Sequence, residues 1–254
     1  MSKKSRQKMR QHQMHDRKVV SHPFFDAPKQ QSDWDPLDDH IDGRRDKKYV
    51  KNIKPRSEGQ TKLIEAIDSY NLTLAVGPAG TGKTYIAISK AVEALEAGRI
   101  ERIILSRPAM EAGESIGYLP GGLDEKMAPY LRPLYDALGD RMGGKKVRQY
   151  LDDGTIEIAP VGFMRGRTLN NSYVVIDEAQ NCTYGQLKML LSRLGWHSKM
   201  IVTGDPDQTD LLDGISGLSE IMKRLDPLPN VAVCQLDKGD IVRHPLVAEM
   251  LGVL

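Results

Sequence analysis

Cysteine is nearly missing from this chain: its 254 residues contain two, Cys182 and Cys234. With no metal-like cluster around either, they exclude a disulfide framework and a cysteine-built zinc site, and they suit a reducing cytoplasm. No stretch comes near the roughly 18 consecutive apolar residues that a membrane span requires, so no membrane contact is expected. The chain opens on Met1-Ser2-Lys3-Lys4-Ser5-Arg6. That start is basic, but no apolar core follows it, so a secretory signal is not expected. An excess of charge is lacking too, since the formal net charge is +2.

That balance hides an asymmetry. Residues 1–56 hold 15 Lys/Arg against 8 Asp/Glu, whereas residues 57–254 hold 21 against 26. The first 54 residues also lack any sustained apolar period, so they cannot bury enough surface to offset the entropy of ordering. They are expected to form a disordered basic arm. His12, His15, His22 and His40 lie there without a fold to make them a metal site. Phe24, Phe25 and Trp34 within it are candidates for docking onto the body or onto a neighbour. A basic, Gln-rich arm also suits weak, sequence-independent contact with nucleic acid through counterion release.

Residues 55–254 read as one α/β domain, because short apolar strand runs alternate with amphipathic helical stretches. The organising feature is Gly77-Pro78-Ala79-Gly80-Thr81-Gly82-Lys83-Thr84. It fits the phosphate-binding pattern G-x-x-x-x-G-K-[ST] in full. The strand-like run Leu72–Val76 precedes it, and Tyr85–Ala97 follows with helical spacing and ends at Gly98. In that context the loop's N–H groups and the helix N-terminus attract a triphosphate. Lys83 is then expected to reach the β- and γ-phosphates of ATP, and the Thr84 hydroxyl to bind Mg²⁺.

A second strand, Tyr173–Ile176, runs into Asp177-Glu178. Acids at the end of a buried strand complete such a site: Asp177 for Mg²⁺, Glu178 to polarise an attacking water. A water-activating glutamate favours hydrolysis over transfer to an acceptor. Further strands are expected at Arg102–Ser106, Thr155–Ala159, Lys199–Thr203 and Val231–Leu236. Further helices are expected at Gln60–Tyr70, Glu125–Leu138, Lys145–Leu151, Gly185–Leu194 and Ile215–Leu225. Loops at the carboxyl ends of strands face the ligand crevice, which places Arg107 and the Gly/Pro-rich stretch after it near the site. Gln208 follows a strand end, where such a residue senses the γ-phosphate or orients water. Arg165-Gly166-Arg167 suits phosphate contact. Arg243 is a candidate arginine finger, supplied in cis or by a neighbour.

These residues together resemble the PhoH-like, phosphate-starvation-inducible family of P-loop ATPases. The resemblance is carried by the phosphate loop, Ser106-Arg107-Pro108, Phe163 to Leu169, Ile176 to Asn181, Thr203 to Leu211 and Asp240 to His244. It extends from about residue 55 to the C-terminus. It implies a single RecA-like P-loop domain, with a mostly parallel sheet flanked by helices and related to superfamily 1 helicase cores. It also implies Gln60 as the adenine-reading glutamine, Gln208 as γ-phosphate sensor and Arg243 as finger. A hexameric ring acting on RNA or single-stranded DNA is implied as well. Residues 1–55 carry no acidic constellation on folded strands, so the nuclease fused to some relatives is not expected.

The expected function is a cytoplasmic, Mg²⁺-dependent ATPase coupled to RNA or single-stranded DNA. Two other readings stay open. One is an ATP-gated protein assembly or regulatory module with slow hydrolysis. The other is a small-molecule kinase.

Overall fold

A computed structural model of the chain describes residues 53–108, 123–212 and 214–242, with residues 123–129 as backbone only. The basic arm, the Gly/Pro-rich stretch 109–122 and Arg243 lie outside the described residues.

Helix α1 (Glu58–Ser69) starts two residues before the expected Gln60, because Ser57 caps it and accepts from the Gln60 N–H at 3.1 Å. It leads into β1 (Leu72–Val76). The phosphate loop and α2 (Lys83–Glu96) follow, then β2 (Arg102–Ser106). Next come α3 (Leu123–Met142), α4 (Gly144–Asp152) and β3 (Ile156–Ile158). The second half contains β4 (Ser172–Ile176), α5 (Tyr184–Leu191), β5 (Lys199–Gly204), α6 (Leu218–Leu225) and β6 (Val231–Gln235).

The strands form one six-stranded sheet in the order β3-β2-β4-β5-β1-β6, and every pairing is parallel. Parallel sheets need cover on both faces, and alternate residues of each strand supply it. On one face Ala75, Ile103, Leu105, Val175 and Ile201 pack with Leu63, Ile67, Ile86, Leu134 and Leu138 of α1 to α3. On the other, Leu74, Ile104, Val174, Ile176 and Val202 meet Leu187, Leu190, Leu218 and Ile221 of α5 and α6. Each fully buried Leu or Ile contributes roughly 1.5–3 kcal/mol. The expected α/β architecture, a RecA-like parallel sheet between helices, is present. Among the described residues, no helix is long and apolar enough to cross a membrane.

Two helices are shorter than their apolar spacing suggested. Helix α5 begins in a Thr183/Gln186 capping box and stops at Leu191. After it, the carbonyl of Arg193 accepts from Leu169 N–H at 2.9 Å, so the chain bends back to pair with a preceding loop. Helix α6 begins at Leu218, not Ile215, because Ser216 bridges Thr183 and the Gly217 N–H donates to Cys182 O at 2.9 Å. In both places a contact between distant segments outcompetes one more turn of helix.

The two thiols differ in setting. Cys182 has no exposed surface, and burial pushes its pKa up to about 12. Cys234 is half-buried on β6, an edge strand. Thiol alkylation of the native protein at pH 8 is expected to modify Cys234 first and to reach Cys182 only after denaturant is added. Equal rates at the two positions contradict this packing.

Candidate active site

The parallel sheet brings the carboxyl ends of β1, β5, β4 and β2 to one edge, and the phosphate loop, Asp177, Glu178 and Gln208 follow those ends. At the end of β1, the Gly77 N–H donates to Gly204 O at 3.2 Å, which ties the phosphate loop to β5. Gly77 has φ 137°, and a Cβ there falls 2.2 Å from Leu236 O. No other residue fits that corner. Ala79 and Gly80 form the exposed crest of the loop, Pro78 and Gly82 are half-buried, and Thr81 is buried beneath them.

Lys83, the first residue of α2, is 9% exposed. Its Nζ donates to Gly77 O at 2.6 Å, Pro78 O at 2.8 Å and Thr81 Oγ1 at 3.3 Å. Burial lowers its pKa, opposed by the charges of Asp205, Glu178 and Asp177. The ammonium therefore sits in a negative field and is held by carbonyls that phosphate oxygens can replace.

The two halves of the site meet at Thr84, whose Oγ1 donates to Asp177 Oδ1 at 2.6 Å. That carboxylate is 3% exposed and also accepts from Thr203 Oγ1 on β5 at 2.7 Å. Two oxygen donors, a hydroxyl and a carboxylate, match Mg²⁺, which keeps most of its waters and needs few protein ligands. Among the described residues no group of three His, Cys, Asp or Glu side chains could hold a metal ion.

Glu178 stands just beyond β4 with φ 53° and ψ 43°. The left-handed region costs a non-glycine residue roughly 1–2 kcal/mol, and here it turns the side chain back over the strand end. Both carboxylate oxygens are held: Oε1 accepts from Arg107 Nη2 at 3.3 Å, and Oε2 from Gln180 Nε2 at 2.6 Å. Arg107 also reaches Asp177 Oδ2 at 3.5 Å. Gln180 in turn accepts from the Asp205 N–H at 3.0 Å. Gln208 lies exposed on the adjoining turn, its N–H bonded to Asp205 O at 3.1 Å.

Gln60 is buried behind the loop. Its Nε2 donates to Thr81 O at 3.0 Å, and its Oε1 accepts from the Arg56 N–H at 2.8 Å. The segment containing the expected finger is anchored nearby. Asp240 accepts from the Gly59 N–H at the start of α1 and from Asp237 N–H. The Ser57 hydroxyl, followed by Asp237 and Gly59, holds its carboxyl below the usual range. The Val242 N–H donates to Gly80 O at 3.0 Å, and Arg243 follows it outside the described residues.

Sequence spacing puts Arg107 near the site without giving it a task, and it does not point to Gln180 or Thr203 at all. Each lies within four residues of a strand end, and that position was the signal. The Arg165-Gly166-Arg167 expectation divides. Arg165 is exposed, whereas Arg167 forms a two-pronged ion pair with Glu157 on β3, its Nη2 at 2.7 Å from Oε2. Its guanidinium is engaged structurally.

The family model for PhoH-like proteins matches residues 52–254. A PhoH-like protein of Bacillus subtilis (strain 168) is 52% identical over 202 residues, covering 79% of this chain and 63% of that relative. Protein PhoH of Escherichia coli (strain K12) is 44% identical over 210 residues, covering 82% of this chain and 59% of its own length. The chain thus spans about three fifths of these relatives. Among solved structures, a large terminase from a thermophilic bacteriophage is similar at a TM-score of 0.48 and 13% identity, over 78% of this chain and 50% of that one. With its phosphate loop, paired strand-end acids and Asp240-Ile241-Val242 segment all inside the matched region, the chain belongs to the PhoH-like protein family.

Proposed function

We propose that the chain is an ATPase that hydrolyses ATP with Mg²⁺, in the cytoplasm, and couples turnover to RNA or single-stranded DNA as a homo-oligomeric, hexameric ring. The observation that carries the hydrolytic reading is the 2.6 Å contact between Thr84 and Asp177, with Lys83 and Glu178 on either side.

The loop N–H groups and the N-terminus of α2 receive the phosphates, and Lys83 exchanges loop carbonyls for their oxygens. Thr84 and Asp177 would hold Mg²⁺, which would supply positive charge to offset that of the phosphates. Glu178 orients the attacking water and accepts its proton. Arg107 and Gln180 fix the direction of its carboxylate, and Arg107 adds a cation beside the γ-phosphate position. Gln208 senses the γ-phosphate from its exposed turn. Gln60 reads the adenine edge, and its bond to Thr81 O links that reading to the loop. Arg243 completes the charge stabilisation. Its predecessor Val242 is bonded to this chain's own loop, which supports delivery in cis. Nucleic-acid coupling and the ring rest on the family resemblance, and the basic arm suits the former.

Glu178→Gln is expected to keep ATP binding and lose turnover by about 10²–10⁴-fold in a phosphate-release assay. Unchanged turnover removes Glu178 from the mechanism. Thr203→Val removes the hydroxyl that orients Asp177, and a Mg²⁺ titration of turnover is expected to shift upward by about 10–100-fold. ATP turnover measured with and without single-stranded RNA or DNA at low salt tests the coupling. Stimulation is expected, and the absence of both stimulation and binding sinks that part.

A further inference from the structure

A cavity of about 410 Å³ opens at the opposite edge of the sheet, where Asn71 precedes β1, Ile100 precedes β2 and Ser198 precedes β5. A five-residue strand at about 3.3 Å per residue separates it from the phosphate loop by roughly 15 Å. None of the chemistry described above uses it.

Three features of this cavity have binding capacity that the fold leaves unused. The first is Trp196, 82% exposed at the rim. Its turn is fixed from several sides: Trp196 N–H donates to Asn170 Oδ1 at 2.8 Å, and its carbonyl accepts from the Asn171 N–H at 2.9 Å. Gly195 sits so close that a Cβ there lies 2.2 Å from Asn170 Oδ1 and 2.6 Å from Leu169 O, and His197 takes φ 55°. The backbone of this turn is therefore fixed, and the indole stands exposed at its tip. The second is Tyr173 on β4, 2% exposed, which lines the cavity and whose hydroxyl has no partner among the described residues. An unmade hydrogen bond of this kind destabilises the fold, a cost that phenylalanine would avoid. Burial raises the phenol's pKa well above its ordinary value, so it remains a neutral donor. The third is Arg99, exposed on the wall, with one guanidinium nitrogen bonded to Glu93 at 3.1 Å and further N–H donors open to a ligand.

The other cations at the cavity are engaged. Lys90 is held by Asp68 at 2.8 Å and Glu93 at 2.9 Å, and Lys199 caps α1 through the carbonyls of Ile67, Asp68 and Tyr70. What remains open is a flat aromatic face, a buried neutral donor and a guanidinium. That combination calls for a ligand with a planar ring and acceptor oxygens, one of them anionic. The volume falls within the range of small-molecule sites.

We propose that this cavity is a second binding site and that it takes a nucleotide unit. The base stacks on the Trp196 indole, the phosphate meets Arg99, and a base or sugar oxygen accepts from the Tyr173 hydroxyl. The unit comes either as a free mononucleotide or as one residue of a single strand. Stacking on an exposed aromatic tolerates any base, because every base has a π-face.

The full chain carrying Trp34→Phe has Trp196 as its one tryptophan. Titration of that protein with uridine monophosphate and with a ten-residue oligouridylate at low salt is expected to give saturable quenching of its emission. Quenching at about tenfold or more lower concentration of oligomer, counted per nucleotide, identifies the strand as the source, and equal midpoints identify the free nucleotide. Arg99→Gln and the isosteric Tyr173→Phe are each expected to raise the midpoint by about fivefold or more. No saturable quenching by either ligand overturns the proposal, as does a midpoint that neither substitution moves. Hydrolysis of ATP without nucleic acid is expected to stay at the parent level in Trp196→Ala, so a failure here is separable from a failure of the ATPase reading.

Discussion

The 2.6 Å hydrogen bond between Thr84 and Asp177 joins residues 93 apart in sequence, and it exists only because three strands hold their register. Thr84 follows the loop that β1 delivers, and Asp177 follows β4. Strand β5 runs between those two and places Thr203 opposite Ala75, where its hydroxyl supports the same carboxylate oxygen. A slip of one residue in β5 turns Thr203 to the other face and leaves Asp177 with a single hydroxyl donor. The apolar packing on both faces of the sheet therefore serves the site directly, since it fixes which residues emerge at the carboxyl edge.

Glu178 shows how the same edge combines strain with restraint. A left-handed backbone costs free energy, and that cost persists because neighbouring elements over-determine the residue. Arg107 from the end of β2 and Gln180 from the short turn after β4 hold one carboxylate oxygen each. Gln180 also grips the backbone at Asp205, so the carboxylate and the turn bearing Gln208 are mechanically one unit. Lys83 completes the balance, since its buried charge is offset by the acids that surround it.

Local pattern made the phosphate loop, the strands and the acids at 177 and 178 legible, because each combines a period with a chemical type. It also made α1 and α2 legible to within two or three residues. It could not show Thr203, Gln180 or Arg107 in their roles, since those depend on strand order, and the order β2-β4-β5-β1 is a tertiary fact with no local signature. The end of α5 and the start of α6 were obscured for a related reason. Their apolar spacing continues past the point where Leu169 and Thr183 recruit the backbone into other pairings. Arg167 looked like a phosphate ligand until β3 supplied Glu157 as its partner.

Beyond β6 the chain is fastened twice within a few residues, by Asp240 to the start of α1 and by the Val242 N–H to Gly80 at the crest of the phosphate loop. The segment 240–242 is thus tied to the phosphate loop itself, with the sheet one step further back. A displacement of residues 240–242 is felt first by Gly80 and by the helix bearing Gln60, so this short segment works as a lever whose short arm is the phosphate loop.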